Sequence, residues 1–298
     1  MSTPPKSAAT AAISTTSLLD DLSQLTKLRL TALVLATTLV GFLMAAKDGV
    51  NLVLLAHTFI GTTLVAAGAA ALNQSMEVEP DSKMRRTEGR PLPAGRMSLP
   101  VAIWLGTASS TLGLVQLGIF VNGSAAALAA LTLFTYAAVY TPLKQISSTC
   151  TLVGAVSGAL PPLIGWAAAG GEMNAAALVL FGILFFWQLP HFISLNWVYR
   201  EEYENAGFVM WCNGDVKGDL TAKLSLGFSV ALLAVSLLAQ PAQLAGMIYT
   251  LGAALLGLVM VWLAWDFLRR RTVRSARILF FWSIIYLPLM LMLLVFDK

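Results

Sequence analysis

Long apolar stretches, separated by short polar ones, dominate this chain. Nine runs stand out, at about 28–46, 52–72, 99–121, 124–141, 149–169, 174–199, 222–239, 242–267 and 276–296. Each is close to or above the roughly 20 residues a helix needs to cross the hydrocarbon core of a bilayer. The runs are too long for barrel strands and lack the two-residue alternation of a closed barrel. The pattern predicts an all-α membrane protein, a bundle of nine transmembrane helices. Patches such as Gly154-Ala155-Val156-Ser157-Gly158-Ala159 read as packing surfaces, because small residues let helix backbones approach closely in lipid.

Composition leads to the same class. The chain is 57% hydrophobic and 11% charged, with mean hydropathy +0.76. A soluble globular domain carries about 25% charged residues, so that class is excluded. Residues 1–24 are expected to form a disordered cytoplasmic tail, ahead of one membrane domain over 25–298. The tail has no apolar core before Leu18, lacks the arginines of a mitochondrial presequence, and carries Asp20 and Asp21. A bacterial cytoplasmic (inner) membrane fits best. Cys150 and Cys212 have no metal-ligand spacing and fall near the same membrane face, which argues against a disulfide.

Charge sorts the loops. Of 19 Lys and Arg residues, 17 fall on one side of the nine runs and only Lys47 and Lys298 on the other. The positive-inside rule then puts the N-terminus and the two longest loops in the cytoplasm and the C-terminus outside. The net charge of +4 is accounted for by anionic lipid and an anionic substrate, with no need for nucleic acid. Acidic residues break the simple picture. Glu77, Glu79, Asp81, Glu201, Glu202, Glu204, Asp215 and Asp219 share the basic face, in just two loops. Carboxylates beside a bilayer are costly unless paired or metal-bound.

In the first of these loops Asn73, Glu77 and Asp81 are spaced four apart. On a helix they would share one face, drifting by roughly 40° per step. Pro80 disfavours helix at Glu79, so the helix should end or kink there and leave Asp81 just beyond it. Asparagine and carboxylate oxygens suit Mg²⁺, which often shares its ligands with substrate phosphates. Lys83, Arg85, Arg86 and Arg90 follow within a few residues. Carboxylates for a metal followed by guanidiniums for phosphate make a diphosphate-handling arrangement.

The string Asn73-Gln74…Glu77…Asp81…Met84…Arg86-Thr87…Arg90-Pro91-Leu92 resembles the signature of the UbiA-type intramembrane prenyltransferases, in particular their haem-farnesylating branch. Lys27-Leu28-Arg29, Tyr140-Thr-Pro-Leu-Lys144, Gly154-Ala155…Pro161-Pro162…Gly165-Trp166, Trp187-Gln188-Leu-Pro190-His191-Phe192 and Arg200-Glu-Glu202-Tyr203…Asp215 extend it over about residues 25–225. The last three runs match in hydropathy only. Leu28 stands where the family usually has Pro, and the second acidic motif is poorer than in quinone-acting members.

The resemblance implies transfer of farnesyl from farnesyl diphosphate to a vinyl group of haem B, giving haem O, with a haem A synthase acting downstream. Asn73, Glu77, Asp81, Glu202 and Asp215 would hold Mg²⁺, and Asn73, Glu77, Asp81 and Glu202 would be the catalytic set. Which acid of the second loop takes a metal stays open. Arg29, Lys83, Arg86, Arg90, Lys144, Arg200 and Tyr203 would bind substrate. His191, beside Pro190, is expected near the haem, as iron ligand, propionate contact or packed polar residue. Another prenyltransferase, or a lipid-phosphate transporter, is the rival reading. Reporter fusions at about residue 85, about 210 and the C-terminus should report inside, inside and outside; a cytoplasmic C-terminus would put the span count wrong by one.

Overall fold

The computed structural model describes residues 17–47 and 49–298. Among them are nine helices long and apolar enough to span a membrane, and no strand. The first is α2 (Leu28–Ala45), preceded by a short α1 (Leu18–Leu25). Next come α3 (Leu52–Met76), a one-turn α4 (Val78–Ser82) and α5 (Leu99–Phe120). The fourth span joins α6 (Gly123–Leu133), a π-helical turn (Phe134–Tyr140) and α7 (Thr141–Leu143). The fifth joins α8 (Cys150–Ala159) and α9 (Pro161–Ala168). The rest are α10 (Ala175–Val198), the short α11 (Arg200–Asn205), α12 (Asp219–Leu237), α13 (Met247–Arg270) and α14 (Val273–Phe296).

Three boundaries depart from the sequence expectation. Residues 18–24, assigned to the tail, are helical. Ser17 and Asp20 form a reciprocal capping box, and Asp21 is anchored 2.9 Å from Arg96. Residues 1–16 of the expected tail lie outside the described residues. The break expected near Glu79 falls at Glu77, and Asp81 sits inside α4. Pro80 is tolerated there because it occupies the first turn, where its missing N–H has no intrahelical partner to lose. The eighth span starts at Met247, because Pro241 and the left-handed Gln243 (φ 56°) hold the preceding residues in turns.

The fifth span is the axis of the bundle, and every residue of α9 is buried. Its approach to α2 is backbone against backbone. A Cβ on Gly165 would stand 1.9 Å from the Thr38 carbonyl oxygen, and one on Gly41 would stand 1.8 Å from that of Pro162. Helices α3 and α5 meet in the same way through Gly61, Gly68, Gly106 and Gly113. With no hydrophobic drive between helices in lipid, such close packing holds the bundle. The ring closes where Lys298 donates to the carbonyls of Leu43 and Ala46 at the end of α2, at 2.7 and 2.5 Å. His57 packs against Phe120 (4.8 Å between ring centroids) and bonds Gln116 at 2.7 Å.

Gly165→Ala should therefore destabilise by about 1–3 kcal/mol through overpacking, read as a lower thermal midpoint in detergent. Gly227→Ala, whose Cβ would meet nothing within 4 Å, should leave the midpoint unchanged or raise it.

Candidate functional site

The basic face of the bundle opens into a cavity of about 370 Å³. Its mouth carries Lys27, Glu77, Asp81, Arg86, Arg90 and Lys144, and its depth is lined by Val34, Thr62, Val65, Ala66, Ala69, Pro161 and Ile164. Along α3 the lining runs from Glu77 back to Thr62, roughly 20 Å of helix at 1.5 Å per residue. One end of the cavity is thus charged and the other apolar, over a length suited to an extended polyisoprene chain.

The charged end is built from α3, α4 and the loop that follows. Glu77 caps the C-terminus of α3, and one turn on, Asp81 is fixed when its backbone N–H donates to the Glu77 carbonyl at 2.8 Å. Thr87 folds the loop back by donating to the Asp81 carbonyl at 2.8 Å. That return brings Arg90 onto the Asp81 carboxylate at 2.5 Å, with the two side chains 20% and 3% exposed. Glu77 is paired across the cavity with Lys144 at 2.8 Å. The Glu77 Oε1 in that pair is buried and lacks a well-aligned hydrogen bond, so it is close to a charge but not satisfied by it. Burial alone would lower the Lys144 pKa, but Tyr140 and Glu77 outweigh it and hold the ammonium above its ordinary value. Its ammonium also sits 4.5 Å from the Tyr140 ring centre and 5.6 Å from that of Phe208.

Asn73 is fully buried, behind the cavity wall. Its Oδ1 accepts from the Lys27 ammonium at 2.6 Å, and its amide donates to Thr141 Oγ1 at 3.0 Å. Lys27 also donates to the Tyr136 hydroxyl at 3.2 Å. Tyr136 and Tyr140 are presented by the π-helical turn, a wide turn of the kind that recurs at functional sites. Pro142 follows one residue beyond it; lacking an N–H, proline cannot make the regular i→i−4 bond and its ring crowds that carbonyl.

Of the expected site residues, the fold gathers Glu77, Asp81, Arg86, Arg90, Lys144 and Tyr203 on one cavity, with Asn73 just behind it. The others lie elsewhere. Arg29 is exposed and absent from the lining; positions two apart at the start of a helix do not share a face. Lys83 pairs with Glu79 at 2.8 Å on the surface. Arg200 lies over the Trp197 ring, 4.7 Å from its centre, and 3.5 Å from Glu201. Asp215 spends both carboxylate oxygens on the start of α12, accepting from the backbone of Asp219 and Thr221 and from the Thr221 hydroxyl at 2.8–3.0 Å. Glu202 is half-buried, with one oxygen unpartnered, and is not part of the lining. His191 turns away from the cavity toward α14. It bonds Ser283 Oγ at 2.7 Å, stacks on Trp187 and meets a tilted Phe280 ring, while Gln188, Phe192, Leu195 and Asn196 hold the cavity face of α10.

Glu202 and Asp215 thus lie off the cavity that holds Glu77 and Asp81. Among the described residues no three His, Cys, Asp or Glu side chains converge to hold an ion. Glu77 and Asp81 alone suit Mg²⁺ of the kind that keeps one or two protein carboxylates and completes its shell with substrate phosphates and water. The unsatisfied Glu77 Oε1 is the polar atom such an ion would engage. Lys27 and Tyr136 line the cavity as well, although no local pattern in the sequence favours Lys27 over Arg29.

A family model, the UbiA prenyltransferase family, matches residues 34–285. The chain is 41% identical over 287 residues to a protein of Solibacter usitatus named protoheme IX farnesyltransferase, covering 93% of this chain and 98% of that one. A protein of the same name from Opitutus terrae is 44% identical over 279 residues, covering 93% and 94%. Among solved structures, digeranylgeranylglyceryl phosphate synthase superposes with TM-score 0.79 at 16% identity, covering 94% of this chain and 98% of that one. A UbiA homolog from Archaeoglobus fulgidus bound to GPP and Mg²⁺ superposes with TM-score 0.68 at 14% identity, covering 92% and 99%. At such identities these two likenesses speak to the fold alone. With the family model spanning most of the chain, and relatives of about 40% identity matched nearly end to end, the chain belongs to the UbiA prenyltransferase family.

Proposed function

We propose that this protein transfers the farnesyl group of farnesyl diphosphate to a vinyl group of haem B, giving haem O and diphosphate. The observation that carries the reading is the single cavity whose charged mouth continues into an apolar wall of roughly 20 Å. An amphiphilic prenyl diphosphate matches both ends. The acceptor comes from the relatives of about 40% identity named for this reaction.

Arg86, Arg90 and Lys144 neutralise the diphosphate and stabilise charge on the leaving oxygen as the allylic C–O bond breaks. Glu77 and Asp81 would hold Mg²⁺ together with diphosphate oxygens, which would supply Lewis-acid stabilisation to the same leaving group. Val65, Ala66, Ala69 and Ile164 keep water from the farnesyl cation until a haem vinyl carbon captures it. Water then adds to the vinyl-derived cation and releases one proton to solvent, which completes the hydroxyethylfarnesyl side chain. No side-chain nucleophile is needed. The charged mouth faces the cytoplasm of a bacterial inner membrane, following the loop charges. A haem A synthase is the downstream partner that would consume the product.

Purified protein incubated with haem B, farnesyl diphosphate and Mg²⁺ should yield a farnesylated, hydroxylated haem by mass spectrometry, and excess EDTA should suppress it. Prenylation of 4-hydroxybenzoate with haem left untouched would refute the acceptor. Glu77→Gln and Asp81→Asn should each cut turnover by about 10²-fold or more on protein still folded at the assay temperature, and each should also lower the thermal midpoint, because Lys144 or Arg90 loses its carboxylate. Asp215→Ala should do the opposite, costing about 1 kcal/mol of stability as a lost helix-start cap while turnover stays within a few-fold.

A further inference from the structure

Lys27 has a backbone that few lysines adopt. It sits between α1 and α2 in the left-handed region, φ 48° and ψ 52°, where a side chain is tolerated only if its surroundings enforce it. The enforcement is visible. Gln74 donates to the carbonyls of Gln24 and Leu25 at 2.8 Å each, pinning the end of α1. Asn73 and Tyr136 then hold the Lys27 ammonium at 2.6 and 3.2 Å. Both partners are neutral, and among the described residues no carboxylate pairs with Lys27. Two of its three N–H donors are used, which leaves one for the cavity that Lys27 lines.

Charge bookkeeping leaves one lining cation over, and burial picks out Lys27, because Arg86, which likewise has no carboxylate partner among the described residues, is exposed. The lining carries four, Lys27, Arg86, Arg90 and Lys144, against the carboxylates Glu77 and Asp81. A diphosphate ester carries about three negative charges at neutral pH. Joined by one divalent cation and the two carboxylates, it is balanced by Arg86, Arg90 and Lys144 alone. Lys27 is left over, as a partly buried cation held by neutral oxygens, and such a site favours a further anion. On the function proposed above, on which this inference rests, the remaining anionic groups are the acceptor's carboxylates.

We infer that Lys27, positioned by Asn73 and Tyr136, is the carboxylate-binding residue for the acceptor and takes one haem propionate. Asn73 then acts as a positioning residue for that ammonium. Tyr136 presents its ring beside the same point, 5.8 Å from the Lys27 nitrogen, and gives the tetrapyrrole an aromatic neighbour.

The test uses the purified full chain in detergent with haem B and with haem B dimethyl ester, whose propionates carry no charge. Haem binding is read by absorbance titration without farnesyl diphosphate, and turnover by mass spectrometry. Lys27→Gln should weaken haem B binding and raise its KM by about tenfold or more, the scale of one charge-assisted hydrogen bond, with the KM for farnesyl diphosphate within twofold. Wild type should suffer a similar loss on the diester, and the variant should lose nothing further on it. Lys27→Arg should recover much of the haem B affinity. The assignment is overturned if Lys27→Gln raises the KM for farnesyl diphosphate instead, if its loss adds to that of the diester, or if haem B binding is unchanged. Should Lys27→Gln misfold, wild type alone decides, because equal affinity for haem B and its diester overturns the assignment. Wild type that turns over neither porphyrin with farnesyl diphosphate refutes the proposed function itself, a result distinct from the variant's failure.

Discussion

Charges at the edge of an apolar bundle must be compensated, and the architecture of this protein's site follows from that requirement. Glu77 and Asp81 are 4% and 3% exposed, and each has a cation against it. Removing one member of such a pair would leave the other uncompensated in a poorly solvated place, at a cost of several kcal/mol. The pairs therefore have to be positioned by the fold, and they come from four separate places. Asp81 lies in a one-turn helix, Glu77 at a helix end, Arg90 in a loop returned by Thr87, and Lys144 beyond a π-helical turn. The same pairing leaves the site ready for an anionic substrate. Arg90 and Lys144 can turn to a diphosphate when it arrives, and the carboxylates they release are free for a metal.

The second acidic loop shows how similar residues diverge in use. Asp215 resembles Asp81 as a carboxylate on the same face, yet it organises the start of α12 and holds no charge in the cavity. The loop contributes to the site in another way. Tyr203, Phe208 and Met210 line the mouth, and the Val209 N–H donates to the Lys144 carbonyl at 2.7 Å. Its role in the described residues is to shape the mouth and support a cation from the first half of the bundle. His191 diverges similarly. Its face of α10 belongs to the interface with α14, where Ser283 and Phe280 satisfy it.

Close backbone packing makes the cavity possible. Gly165 against Thr38 and Gly41 against Pro162 bring α9 and α2 into contact at one end of the bundle. Toward the other end, Gly154 and Gly158 line the open space, with Tyr140 and Gln188 standing where a larger side chain would have to go. The same residue type thus closes the bundle where helices must touch and leaves room where a substrate must fit.

The sequence alone determined the class, the number of spans and the first acidic loop as the centre of the site. Those features are local: a run of apolar residues or a four-residue spacing is readable without knowing its neighbours. What the tertiary structure decided is which of several similar charges point inward. Lys27 and Arg29 are two residues apart, and only the left-handed turn pinned by Gln74 sends the former to the cavity. Glu77 and Asp215 are both acids of the basic face, separated in role by a lysine across a cavity and by the backbone of α12. Direction, pairing and depth are set by contacts between residues far apart in the chain, such as Lys27 with Asn73 and Lys144 with Glu77. No local pattern encodes such contacts, because the energy that selects them exists only once the helices have packed.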